Sequence, residues 1–304
     1  MLAFCLPALA QTEYNPQLTD EHVAVRGSML KLVVPDGYQA SIDYPGFEEL
    51  EISAAIMVNE LPVNYDELAG VFGNADELAT QGMTLISHEE ISFHGQLADF
   101  AQVDQLANGE LFEKYILAFG DSITTYILTG MLPKAGLQAN KNDVKLALLS
   151  TVVDETVVVD PLAELPFSVS VDSTKLQFAT TISSSALYTV DGNVPTESGD
   201  DTMLIVANSF GEVVVADREA FALESLGELP NVTNVALKTK QAVTIQGLDG
   251  VEITATALDD GEETFIFHTV LFANSKYYRI LGMSTSEVDN LEMFRTIANT
   301  FRLK

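Results

Sequence analysis

The chain has 304 residues, 47% of them hydrophobic and 19% charged, which is long enough for two ordinary domains and too apolar for a disordered polymer. Forty-four Asp plus Glu against 15 Lys plus Arg leave a formal net charge of -29. That balance argues against nucleic acid and anionic membrane surfaces as partners, because both are held by clustered Lys and Arg, and it leaves basic partners, cations or a salty milieu open.

In chain order, residues 1–10 form an apolar run too short to span a bilayer, closed by the small-x-small pattern Ala8-Leu9-Ala10. This reads as the end of a secretory signal peptide. It predicts an exported protein, periplasmic or secreted, whose mature chain starts near Gln11 and lacks cysteine, since Cys5 is the single one. A lipoprotein anchored through Cys5 is the alternative, although Phe4 stands where a small residue is needed. No later segment is apolar for long enough to be a transmembrane helix. Residues 11–25 read as a polar leader, in which His22 beside Glu21 has no partner that the sequence names.

Residues 26–159 then read as one unit. A strand pair (Leu30 to Val34, Gln39 to Tyr44) and a further strand (Glu51 to Val58) lead to a short helix around Asn74 to Gln81. A three-stranded meander follows, with Asn108-Gly109 as a hairpin signal. A closing helix capped by Asn142 carries Val144, Ala147, Leu148 and Thr151. Asp160-Pro161 marks a boundary, and residues 160–304 repeat the sequence of elements. Strands at Phe167 to Val171, Leu176 to Thr181 and Met203 to Asn208 precede a helix from Asp217 to Leu226, with Leu223 and Leu226 at helical spacing. A meander turning at Asp260-Gly261 leads to a last helix with Ser286 as N-cap and Val288, Leu291, Phe294, Ile297 and Phe301 on one face.

The two units align residue by residue in places. Gly95 to Gly247 and Gly130 to Gly282 are both offset by 152, and the turn Phe119-Gly-Asp-Ser122 matches Phe272-Ala-Asn-Ser275 at 153. Strands, helix, meander and closing helix imply α+β, two tandem antiparallel-sheet domains with flanking helices. The order of elements, the Gly-centred strand, the aromatic-rich strands, the Gly after Ile-Leu and the terminal helix resemble the Mog1/PsbP-like fold. That resemblance implies an α/β sandwich in each unit and an accessory or binding role. One branch of the fold binds a small GTPase and another assists the oxygen-evolving photosystem. It supplies no catalytic residue to carry over.

Four sets of residues invite chemistry. Leu117-Ala-Phe-Gly-Asp-Ser122 resembles the Gly-Asp-Ser-Leu block of SGNH esterases, yet no Asp-x-x-His follows to activate Ser122, and the second copy reads Phe-Ala-Asn-Ser275, as a hairpin turn would. His88, Glu90, Ser92 and His94 alternate, which predicts four side chains on one side of a strand. The outer pair would lie about 20 Å apart, too far to share one zinc. The acidic loop with Asp191, Asn193, Glu197, Asp200 and Asp201 offers the hard oxygens calcium prefers, without EF-hand spacing. Tyr277-Tyr278 puts one ring on each face of a strand. No catalytic set and no cofactor motif emerges. The reading is a non-catalytic exported accessory or protein-binding module with a protein partner in the cell envelope. The alternatives are a small-ligand or calcium binder and, last, an esterase using Ser122.

Overall fold

Long antiparallel strands joined by two-residue turns dominate the computed structural model, which describes residues 12–107, 109–135 and 141–304. The chain divides into unit 1, Met1–Ser41 with Pro45–Val159, and unit 2, Ile42–Tyr44 with Asp160–Lys304. The class is α+β with strands predominating.

Unit 1 opens with β1 (Glu13–Tyr14), β2 (His22–Ala24), β3 (Leu30–Val33), β4 (Gln39–Ala40), β5 (Gly46–Glu49) and β6 (Ala54–Leu61). Helices α1 (Tyr65–Leu68) and α2 (Ala75–Thr80) follow, then β7 (Met83–Phe93), β8 (Gln96–Ala107), β9 (Glu110–Gly120) and β10 (Thr125–Pro133). Helix α3 (Lys141–Leu149) and β11 (Val152–Val153) close the unit. The main sheet runs β1-β7-β8-β9-β10-β6-β5-β4, antiparallel throughout except for β1, which lies parallel to β7. Period-two burial gives the sheet two apolar faces. One packs Ile91, Phe93, Leu117 and Leu128 against Val144, Ala147 and Leu148 of α3, and the other packs Ala101, Val103 and Ile116 against Leu78 of α2.

Unit 2 contains β12 (Phe167–Ser168), β13 (Gln177–Ile182), β14 (Ser185–Thr189), β15 (Met203–Asn208), α4 (Arg218–Gly227), β16 (Val232–Ile245), β17 (Leu248–Asp259), β18 (Glu262–Ala273), β19 (Lys276–Ser284), α5 (Glu287–Ala298) and β20 (Arg302–Leu303). Its sheet runs β16-β17-β18-β19-β15-β14-β13. Read along the chain, this is the order of β7-β8-β9-β10-β6-β5-β4. Phe267, Ile280 and Phe294 of α5 fill one side, and Ile253, Ile266, Ala222 and Leu226 the other.

The structure corrects several expected elements. β3 does not pair with β4: the Pro35-Asp36-Gly37 turn redirects the chain, so β3 lies between β2 and β11 in a small sheet while β4 pairs with β5. β5 and β14 were not expected, and β12 is only two residues long because Phe167 and Ser168 pair with the extreme C-terminal strand β20. Asn142 lies inside α3, which starts at Lys141, rather than at its cap. Val288 is 92% exposed, because in α5 the buried stripe is Phe294, Ile297 and Ala298 with Leu291 half-buried. In α4 the buried pair is Ala222 and Leu226, and Leu223 faces outward. Asn74 and Asp217 both cap their helices, each accepting from two backbone N–H groups. Asp260 and Gly261 both have positive φ, the type I′ geometry that matches strand twist. Residues 1–10, with Cys5, and Asn108 lie outside the described residues.

Candidate functional site

A cavity of about 560 Å³ opens in unit 1 where the β7–β8 and β9–β10 turns meet the leader and β11. The β7–β8 turn is His94-Gly95, both at positive φ. In the other turn, Asp121 accepts from the backbone N–H of Ile123 at 2.7 Å and of Thr124 at 2.8 Å, and its own N–H donates to Thr124 O at 2.9 Å. Those backbone donors, Thr124 first, hold its carboxyl below the usual range. Gly120 is required here, since a Cβ would strike the Thr124 carbonyl.

Aromatic rings line the floor. Phe93 and Phe119 have centroids 4.8 Å apart, Phe119 and Tyr126 5.2 Å, and Phe93 and His94 4.5 Å. The His94 Nε2 lies 2.9 Å from Thr151 O, and since a carbonyl only accepts, this nitrogen carries the proton. Met29, Val152 and Ile123 add apolar surface, and Asp121 and Glu155 are the charged lining residues. The Tyr126 phenol is pushed up to about 12, by burial first and then by the charges of Glu60, Asp121 and Glu155. Negative potential therefore converges on this cavity.

The sequence-predicted residues fall as follows. Ser122 is exposed at the tip of the β9–β10 turn, and its neighbours Asp121 and Ile123 form the cavity wall. His88 and His94 do not share a side. β7 ends at Phe93, and the left-handed backbone of His94 swings its ring beneath the end of α3, whereas His88 lies on the α2 side. There His88 Nε2 sits 2.6 Å from an oxygen of Asp99, which also accepts from Tyr65 Oη at 2.8 Å and Gly70 N at 3.1 Å. Asp99 is 2% exposed, and burial first, then the hydrogen bond to Asp99 and its charge, raise the Tyr65 phenol. Glu90 is exposed and Ser92 half-buried. His22 holds Ser150 O at 2.8 Å and Thr19 N at 3.1 Å. Tyr278 is core, and Tyr277 packs on Phe221 at 4.8 Å.

In the acidic loop, Asp191 accepts from Glu197 N at 2.8 Å, Ser198 N at 3.0 Å, Asn193 N at 3.2 Å and Thr196 Oγ1 at 3.0 Å. Against a burial effect that raises it, these donors hold its carboxyl down at about 2. Asp200 takes Lys175 Nζ at 2.5 Å and Thr202 N at 3.0 Å, and Asp201 accepts from Thr285 at 3.4 Å. Asn193 and Glu197 thus join Asp191 through their backbone N–H groups. Among the described residues no cluster of three or more His, Cys, Asp or Glu side chains is placed to hold a metal ion.

Two buried polar sets escaped sequence reasoning: Asp99 with Tyr65 and His88, and His268 in unit 2. His268 is fully buried, and its Nε2 accepts from Arg279 Nε at 3.3 Å while Arg279 also donates to Ser225 O at 3.2 Å. Burial, then the Arg279 charge, pull the imidazole down to about 3.

No family model matches the sequence, and no curated protein does. Solved structures with some likeness include PsbP (CyanoP) from Synechocystis sp. PCC 6803, 13% identical, covering 46% of this chain and 82% of that one, TM-score 0.27. They also include immunity protein TplEi of the T6SS from Pseudomonas aeruginosa, 11% identical, 93% of this chain and 98% of that one, TM-score 0.30. A protein of unknown function, PA94 from Pseudomonas aeruginosa, is 13% identical over 36% of this chain and 78% of its own, TM-score 0.30. At such TM-scores none transfers a role to this chain. Among the described residues no helix is long and apolar enough to cross a membrane.

Proposed function

We propose that this is a non-catalytic, exported protein-binding module, built from two copies of a PsbP-like unit, that receives an extended segment of its partner along the edge strand β16. One observation carries the reading. β16 is a 14-residue edge strand, exposed on both sides from Thr233 to Ala242, and its outer main-chain groups meet no described residue after the bulges at Thr233/Ala236 and Leu237/Thr239. An open edge is a template for strand addition.

The same edge in unit 1 supports the reading by being covered. There β1 lies parallel to β7, with Ser92 N donating to Thr12 O and His94 N to Tyr14 O, both at 2.9 Å. The 152-residue offset maps these donors onto Thr244 and Gln246. By alternation Ala242 presents its N–H outward as well, while Val243 and Ile245 bond inward to β17. Export rests on the Ala8-Leu9-Ala10 pattern alone.

The test is affinity capture with the full chain and with Ala242→Pro, which deletes one outward N–H and leaves the ladder to β17 whole. A partner recovered by the native chain and lost with the folded variant supports strand addition. Equal recovery by both, or recovery of none, overturns it.

A further inference from the structure

A cavity with aromatic rings in its floor and carboxylates as its charged lining suits one ligand class. We propose that the unit 1 cavity binds an organic cation, an ammonium group carried on an apolar or aromatic body. Shape and charge both enter. The floor is formed by Phe119 and Tyr126, 5% and 7% exposed and tilted against each other at 5.2 Å, over the fully buried Phe93, and Met29 and Val152 extend it. About 560 Å³ accommodates a ligand of several to a dozen or more heavy atoms.

Charge selects among such ligands. Asp121 and Glu155 line the cavity, while none of its lining residues is Lys or Arg. Asp121 is fixed in place by the backbone donors of its own turn, so its charge is positioned without a counter-ion. The His94 Nε2–H is already engaged by Thr151 O. A cation near an aromatic face is attracted by the ring quadrupole, more strongly the further it is desolvated, and a carboxylate within reach adds to that. An anion meets repulsion from both rim carboxylates, and a neutral body gains burial only.

Unit 2 differs at this place. Its β18–β19 turn is Asn274-Ser275, two residues at positive φ, and the position corresponding to His94 is Gln246, whose amide bonds Asn299 O. The site therefore belongs to unit 1 and is independent of strand addition at β16.

Titration calorimetry of the full chain with benzyltrimethylammonium, phenylacetate and benzyl alcohol tests the proposal. The cation should bind at micromolar to low-millimolar concentration and the other two at least tenfold more weakly. Asp121→Asn keeps an oxygen to accept the turn's N–H groups and removes the charge, and Glu155→Gln does the same at the rim; each should weaken the cation about three- to tenfold. Ile123 is 71% exposed, so Ile123→Arg leaves the fold intact and should abolish binding, whereas Val214→Arg in unit 2, at a residue 93% exposed, should not. No heat with the cation at 10-millimolar concentration (an order-of-magnitude ceiling), equal heats for all three compounds, or binding untouched by Ile123→Arg would each overturn it.

Discussion

At Gly130 an added methyl group would overlap Val144 of α3, and at Gly282 it would stand 2.7 Å from the Phe294 ring of α5. Neither glycine sits at positive φ, so alanine would fit the backbone and would gain slightly from a stiffer unfolded chain. Packing decides the sign instead: Gly282→Ala should cost about 1–3 kcal/mol in urea unfolding, and in a Gly130→Ala background Val144→Ala should restore part of the loss. The sequence offset already paired these two residues, since a helix lying close on a strand leaves a readable glycine. His268 left no such trace. What sets its state is who lies across the strands, and single-sequence patterns do not report that. Its folded-state pKa, about 3, is below the unfolded value near 6.5, so the stability it contributes is present above pH 6.5 and is lost as pH falls toward 3. The unfolded chain takes up the proton first. Between pH 6.5 and 4.5 the wild type should therefore lose on the order of 2 kcal/mol more than His268→Gln, which keeps an acceptor for Arg279. Urea melts of both proteins over that range give the difference directly, with the carboxylate contributions cancelling; a constant difference would show that His268 is not held neutral.

At the scale of elements, turns and the positions of α2, α3, α4 and α5 were legible, whereas α1, the cap of α3 and the strand partners were not. Asn74, Asp217 and Asp260-Gly261 are local chemistry, satisfied within three or four residues. Pairing is decided at a distance. β3 has the alternation of a main-sheet strand, with Leu30 and Leu32 buried, yet Ser150 Oγ accepts from Val33 N at 2.8 Å, and β11 pairs with β3 from beyond α3. The candidate cavity shares this fate: its Gly-Asp-Ser turn could be read as a turn, while Glu155 and Met29 reach it from opposite ends of the unit. On β16 the direction of each N–H can be tested by neighbours. Val243→Pro removes an inward bond to β17 and leaves a buried acceptor short of its donor, at roughly 1–3 kcal/mol, which should lower the thermal midpoint by several degrees. Ala242→Pro one residue earlier should shift it little. Equal losses in thermal melts would mean that the outward row is not free.

For the whole molecule the surplus of carboxylates matters more than any one ion pair. The difference between 44 acidic and 15 basic side chains leaves 29 negative charges without a basic partner even if every Lys and Arg is paired. Many are paired: Lys31 with Asp154 at 2.6 Å, Lys141 with Glu113 at 2.5 Å, Lys240 with Glu219 at 2.6 Å and Arg295 with Glu252 at 2.8 Å. Salt acts on both populations. It weakens the attraction in exposed pairs, which is worth about 0–1 kcal/mol each, and it screens repulsion summed over the surplus. Screening length falls from about 30 Å at 0.01 M to about 3 Å at 1 M, from the span of a unit to that of a single contact. Long-range repulsion is therefore removed first, while contact pairs at under 3 Å persist. The thermal midpoint should rise with sodium chloride between those limits, steeply at first and then flatten. Potassium chloride should reproduce the rise, because screening depends on ionic strength and not on cation identity. A midpoint that falls with salt would place the ion pairs above the surplus in controlling stability. A rise with sodium alone would mean that particular carboxylates bind that ion.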